Sequence, residues 1–203
     1  ATENDTKVYV NNDKSTPYAT LNNGEWVQIP SSKYSQSGSQ SPGANMYVEA
    51  SKNVYAFQTI DVTYATSGTF TMDVFQVAPL NCLLDNGVNK IPSIIKTGRT
   101  GSDLSNISLM IMASSAISAA DIAINYGTGS VNRISASDIT NAKKAISGTA
   151  DWVTYYVNIS ANVAGDVSVY APGPVAVAYL GLSGVSGVAG YFSGFGTIPT
   201  IDV

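Results

Sequence analysis

Apolar and polar positions alternate in short runs along most of this chain, and clusters of Asn, Gly, Ser and Pro break the runs apart. Such alternation predicts half-buried strand, because successive strand side chains leave opposite faces. Lys7-Val8-Tyr9-Val10 is the first run and stops at the turn cluster Asn11-Asn12-Asp13. Asn22-Asn23-Gly24 precedes the run 25–30, and its Asn-Gly pair suits a type I′ hairpin turn. Residues 46–50 and 54–60, joined by Ser51-Lys52-Asn53, predict a hairpin with Val48 and Ala50 on one face and Tyr47 and Glu49 on the other. Residues 70–77, closed by Pro79, form a further strand, and 107–112, 122–126, 152–159, 167–170 and 175–180 follow. Short strands at this even spacing predict a β-sandwich or barrel. One short helix is expected within 135–146, capped by Ser137, with Ala136, Ile139 and Ala142 as its apolar stripe. Long loops are expected near 31–44 and 127–150.

The C-terminal stretch is the most distinctive. Gly173-Pro174-Val175-Ala176-Val177-Ala178-Tyr179-Leu180 leads into glycines at 181, 184, 187, 190, 194 and 196, with no charge between Gly173 and Thr200. Residues 174–195 are long enough to cross a bilayer, yet they are interrupted by glycine and serine and lack flanking Lys or Arg. A buried hairpin is the better reading, with glycine permitting close backbone approach.

Composition narrows the class of protein. The 203 residues hold 12% charged residues, about half the usual share, and 58 of them are Ser, Thr or Asn. That mix suits turn-rich β-structure of the secreted or surface kind. A net charge of −4 with scattered Lys and Arg offers no basic stripe, which disfavours nucleic acid and acidic membrane surfaces. Cys82 is alone, so no intrachain disulfide forms; between Leu80 and Leu83 it reads as an inert buried thiol. No repeat or linker interrupts the chain, and residues 1–203 read as a single domain with no signal peptide.

Little chemistry is on offer. Histidine is absent, which removes Ser-His-Asp triads, Cys-His dyads and His-ligated zinc. Asp13, Asp85 and Asp166 lie among turn residues and read as turn formers rather than as the facing carboxylates of a glycosidase. Asn11-Asn12-Asp13 and Asp85-Asn86-Gly87 present oxygens of the kind Ca²⁺ takes, without the dense spacing of an EF-hand. Gly127-Thr128-Gly129-Ser130 lacks the Lys of a phosphate loop and reads as a hairpin turn. Trp152, Tyr155 and Tyr156 on one strand offer a ring platform for sugar or protein, against the plainer reading that they divide between core and rim. No residue is assigned a catalytic, cofactor, metal or ligand-binding role on these grounds.

Several blocks together resemble a known family. Ser51-Lys52-Asn53-Val54-Tyr55-Ala56-Phe57-Gln58 is similar to a segment of domains related to the N-terminal region of IgGFc-binding protein, with Asn53 where those domains carry Pro. Val77-Ala78-Pro79-Leu80-Asn81-Cys82 with Ile91-Pro92-Ser93-Ile94, then Trp152-Val153-Thr154-Tyr155 with Gly165-Asp166-Val167-Ser168-Val169-Tyr170, continue the resemblance in order. The ending Gly187-Val188-Ala189-Gly190-Tyr191-Phe192-Ser193-Gly194-Phe195 completes it. Such domains occur in large surface and gliding-associated proteins of Bacteroidetes. The resemblance implies an extracellular β-rich module of a bacterial surface adhesin or filament, without catalytic residues.

The expectation is therefore an all-β, two-sheet antiparallel sandwich, jelly-roll-like, with Tyr55, Phe57, Val175, Val177, Phe192 and Phe195 supplying packing. Its expected role is a non-enzymatic spacer, assembly or cell-adhesion unit. Its expected partners are neighbouring domains of the same polypeptide and a surface glycan or protein. No cofactor is expected. The alternative is a carbohydrate- or peptide-binding module, with or without Ca²⁺; a carboxylate-based hydrolase ranks below both.

Overall fold

The computed structural model describes residues 1–11, 13–34, 43–60, 73–80, 84–92, 106–127, 132–159, 165–183 and 186–191. Cys82, Phe192, Phe195 and the middle of the expected 31–44 loop lie outside them.

The strands follow the alternation of the sequence. In chain order they are β1 (Thr6–Val10), β2 (Ala19–Leu21), β3 (Val48–Ala50), β4 (Phe57–Ile60), β5 (Asp73–Gln76), β6 (Gly87–Ile91) and β7 (Asn106–Ser114). Then come β8 (Ala123–Tyr126), β9 (Asn132–Arg133), helix α1 (Ala136–Asn141), β10 (Lys143–Ala145), β11 (Trp152–Asn158), β12 (Val167–Tyr170), β13 (Val175–Ser183) and β14 (Ser186–Tyr191). All pairings among the described residues are antiparallel. A five-stranded sheet, β10-β11-β7-β13-β14, and a four-stranded sheet, β6-β12-β8-β9, share one core, and two small sheets, β2-β1-β3 and β4-β5, accompany them. The all-β sandwich expected from the sequence is present; the small sheets are an addition to it.

Register explains the core. Tyr155 of β11, Ile111 of β7 and Val177 of β13 lie side by side, as do Val157, Leu109 and Tyr179. These six residues are buried and face Val88, Ile91, Ile124, Val167 and Val169 of the second sheet. Each such aliphatic side chain removed from water contributes about 1.5–3 kcal/mol. The reverse side of the five-stranded sheet is covered too: Met112 and Ala176 pack under Leu84, with Leu80 and Trp152 beside them. That double burial explains the run Val175-Ala176-Val177-Ala178, in which large residues face the sandwich and small ones the tighter outer layer. Residues 175–183 and 186–191 form the uncharged hairpin, Tyr179 opposite Gly190. Among the described residues no helix is long and apolar enough to cross a membrane.

Several local expectations are corrected. Residues 46–50 and 54–60 do not pair with each other: β3 pairs with β1, and β4 with β5. The N-terminal segment takes the place of the expected partner, since the Thr2 N–H and hydroxyl donate to the Asn53 carbonyl at 3.2 and 2.9 Å and the Ser51 N–H to Lys7. Residues 25–30 join no ladder. The turn before them closes through Glu25 N–H to the Asn22 carbonyl, with Gly24 at φ +82 and Asn23 outside the left-handed region. It is a type II turn rather than type I′. The helix stops at Asn141, because 143–145 pair with β11 as an edge strand. Its cap is Ser135, whose hydroxyl receives the Asp138 N–H at 3.2 Å and donates to the Asp138 carboxylate, not Ser137. The expected loop 127–150 thus contains β9, α1 and β10. β8 and β9 pair antiparallel, and residues 128–131 of the expected hairpin turn lie outside the described residues.

Sheet β2-β1-β3 is fastened to the sandwich by polar contacts. The buried Asn45 donates its amide to the Ala145 carbonyl at 3.0 Å and to the Thr154 hydroxyl at 2.7 Å. Gly148, at φ +101, lies so close to Asn11 that a Cβ there would stand 2.2 Å from the Asn11 carbonyl oxygen. Only glycine fits both demands.

Candidate functional site

Large apolar side chains that stay in water are the informative exceptions in a sandwich. Trp26 is 80% exposed, Tyr55 68%, Phe57 62% and Val74 56%. The sequence places Tyr55 and Phe57 in an apolar run, which is why they read as packing residues; the structure turns both outward. The β4-β5 register accounts for Phe57. Phe57 lies opposite Gln76 and Thr59 opposite Val74, and all four are exposed, whereas Gln58 and Phe75 on the other face are half-buried. The inner face is occupied: Gln58 donates to the Tyr34 hydroxyl at 3.0 Å, and β5 runs beside β14. Burial holds the Tyr34 phenol above its ordinary range.

Trp26 is positioned by its neighbours. On one side the Ala1 ammonium donates to the Glu25 carbonyl at 2.8 Å and Gly24 N–H to the Ala1 carbonyl at 3.0 Å. On the other, the Tyr18 hydroxyl donates to the Gln28 carbonyl at 3.3 Å. Because Thr2 bonds Asn53, one dipeptide bridges the segment bearing Trp26 and the segment bearing Tyr55. Two hydrogen bonds and one residue's length bring those backbones within about 10 Å. Glu25, beside Trp26, and Asn53, two residues before Tyr55, are thereby held close to each other.

The charges on these segments are engaged. The Glu25 carboxylate receives the Asn22 N–H at 2.7 Å, and the Lys52 ammonium donates to the Asn4 carbonyl at 2.6 Å. The same segments and the paired strand β5 also carry the exposed neutral residues Asn22, Asn23, Asn53, Thr59 and Gln76.

A shallow cavity of about 110 Å³ lies nearby, lined by Val10, Asp13, Thr16, Pro17, Tyr18 and Lys33. Lys33 sits over the Tyr18 ring at 5.7 Å. Asp13 receives the Ser15 hydroxyl and N–H, and these bonds, with that of Thr16, hold its carboxyl below the usual range. Asp13 is thus the turn former the sequence suggests.

The remaining sequence candidates are dispersed. Tyr155 is buried in the core, Trp152 packs against the outer layer, and Tyr156 is half-buried, so the division between core and rim holds and no ring platform forms on β11. Asp166 pairs with Lys90 at 2.8 Å and the Asp85 carbonyl receives Val175 N–H. Asn11 spends its amide on the Lys33 and Tyr47 backbones. Among the described residues no group of three or more Cys, Asp or Glu side chains is placed to hold a metal ion. Sequence reasoning missed Trp26, Tyr55 and Phe57 as a set. The signal available was an isolated Trp after Asn-Gly, in a run whose partner strand could not be identified.

A model of the family described as IgGFc binding protein matches residues 1–181, which takes in Trp26, Tyr55, Phe57 and the sandwich through all but the last two residues of β13. No curated protein and no solved structure matches the chain.

Proposed function

The chain belongs to the IgGFc-binding protein family, and from that premise we propose that it is a non-catalytic extracellular adhesion module of a bacterial surface protein that binds through Trp26, Tyr55 and Phe57. The sandwich serves as scaffold, and neighbouring domains of a longer polypeptide carry it away from the cell. The observation that supports this reading is the exposure of Trp26, Tyr55 and Phe57 beside a well-packed sandwich, with the segments bearing Trp26 and Tyr55 tied together by the hydrogen bonds of Ala1 and Thr2. A ring held out of the core by fixed backbone loses little entropy on binding and offers a large contact area.

The test is attachment. Beads coated with the chain are passed over surfaces bearing glycoprotein, polysaccharide or immunoglobulin Fc. Retention on at least one surface, lost in a folded Trp26→Ala/Tyr55→Ala/Phe57→Ala variant, supports the reading. Equal retention of the variant, or chemical change in the bound material by mass spectrometry, contradicts it.

A further inference from the structure

We infer that the free edge of β4 pairs with the same edge of a second copy of this chain, making a two-fold dimer centred on Phe57. Among the described residues β4 forms a ladder with β5 alone. The Val77 N–H donates to the Ala56 carbonyl at 2.8 Å, which makes Ala56 and Val77 a hydrogen-bonded pair and Gln58 and Phe75 the next. The residues between them, Tyr55, Phe57 and Thr59, therefore turn their main-chain N–H and C=O groups away from β5. Such a row is a template for another strand. Tyr55, Ala56, Phe57 and Thr59 are all exposed, so this edge is open to water.

Charge selects the occupant. Two copies of one edge meeting on a two-fold axis set like residues near each other, so a charged edge repels itself. The other edges of the described sheets are protected by charge, by shortness or by a neighbour. β10 carries Lys143 and Lys144, β6 Lys90, β9 Arg133 and β3 Glu49. β2 has three residues, and β5 and β14 run beside each other. The β4 edge has no charge, proline or glycine between Asn53 and Ile60. It is the edge that tolerates its own copy.

Register follows from the same bonds. The Asn53 carbonyl is already taken by the Thr2 hydroxyl and N–H, which ends the free row at Tyr55. An axis through Phe57 sets Phe57 against its own copy and Tyr55 against Thr59 twice, so all three residues exchange bonds. The two Phe57 rings become a cross-strand aromatic pair, each with its own Val74 on the diagonal. An edge from Tyr55 to Thr59 is small beside the roughly 800 Å² per partner of a standard interface, so the pairing is reversible. It stands apart from the adhesion reading. Side chains rise from the sheet face, so edge pairing sets two ring-bearing faces side by side.

The experiment is sedimentation velocity of the whole chain across a concentration series, with amide hydrogen exchange read residue by residue. The mass should climb from one chain toward two. Exchange at Tyr55, Phe57 and Thr59 should slow as concentration rises, while Gln58, already paired with Phe75, keeps its rate. Thr59→Pro removes only an outward N–H and leaves both rings; Phe57→Lys sets like charges on the axis. Each should weaken dimerisation about tenfold or more, whereas Thr20→Lys on the β2 edge dimerises as the parent does. A chain that stays monomeric overturns the inference, as does one that protects these amides only when a foreign strand peptide is added. So does a dimer whose new protection falls on β10 or β14, or one that survives both β4 substitutions. Should either variant misfold, the exchange pattern of the parent decides alone.

Discussion

The sheets spanning residues 87 to 191 and the smaller β2-β1-β3 sheet ahead of them are both antiparallel, yet different forces hold them. In the first, Ile111, Leu109, Val177 and Tyr155 are fully or almost fully buried in register against a second apolar face. In the second, only Val8 and Val10 are buried hydrophobics, and Thr6 is buried through its own hydroxyl bond to Glu3. Its attachment relies on the Asn45 amide and on the close approach at Gly148. The sandwich is stabilised by area removed from water, whereas the N-terminal sheet is fixed by a few directional contacts. Trp26 and Tyr55 sit on segments tied to the second kind of structure through Ala1 and Thr2, whereas Phe57 lies on β4, whose partner β5 runs beside β14 of the sandwich.

The largest expected effect comes from the sandwich. Ile111→Ala removes the middle of the Tyr155–Ile111–Val177 row and should cost about 2–5 kcal/mol of global stability in denaturant titration. A loss confined to the N-terminal amides in hydrogen exchange would show that the two regions are not separate in the way argued. Next is Asn45→Ala, which removes the buried amide's bonds to the Ala145 carbonyl and the Thr154 hydroxyl and should cost about 1–3 kcal/mol. Hydrogen exchange should show early loss of protection in β1–β3 with β7 and β13 unchanged; equal loss in both would break the comparison.

Tyr155→Phe works in the opposite direction. The Tyr155 hydroxyl is buried without a hydrogen-bond partner among the described residues, so removing it should raise stability by about 1 kcal/mol. Burial also pushes the Tyr155 phenol above its ordinary value of 10.0. The folded state then holds the proton more tightly than the unfolded chain. The resulting stability is fully present below about pH 10 and is lost as pH rises through the folded-state value. Alkaline denaturation should be less steep in Tyr155→Phe than in the parent, and identical curves would show that the phenol is not desolvated. Smallest of all, Trp26→Ala, Tyr55→Ala and Phe57→Ala should each leave stability within about 0.5 kcal/mol, because these side chains remain in water. A large loss at any of them would return that residue to the packing role its apolar run implies.

Legibility in the sequence divides along the same line. β7, β8, β11, β12 and β13 are readable because alternation and β-branched residues coincide with burial on a wide sheet. Val175-Ala176-Val177-Ala178 even shows which face is roomier. The N-terminal pairings are not readable, because β1, β2 and β3 are short and their partners are chosen by single bonds such as Thr2 to Asn53. Local proximity favours a hairpin of 46–50 with 54–60; a distant segment wins. Residues 143–145 read as helix because Lys and Ala favour it, but edge pairing with β11 overrides that propensity. The ring set was illegible for a related reason: alternation shows that two faces differ but not which face meets water when the sheet is only two strands wide.

The most direct check uses the two tryptophans, Trp26 on the exposed end and Trp152 against the sandwich. With both labelled as fluorotryptophan, fluorine NMR gives each ring its own resonance, assigned by Trp26→Phe and Trp152→Phe. On titration with whichever of the glycoprotein, polysaccharide or Fc retains the coated beads, the Trp26 resonance should move to saturation while that of Trp152 stays in place. Movement at Trp152 with Trp26 unmoved would contradict the assignment of recognition to the exposed rings and of support to the sandwich.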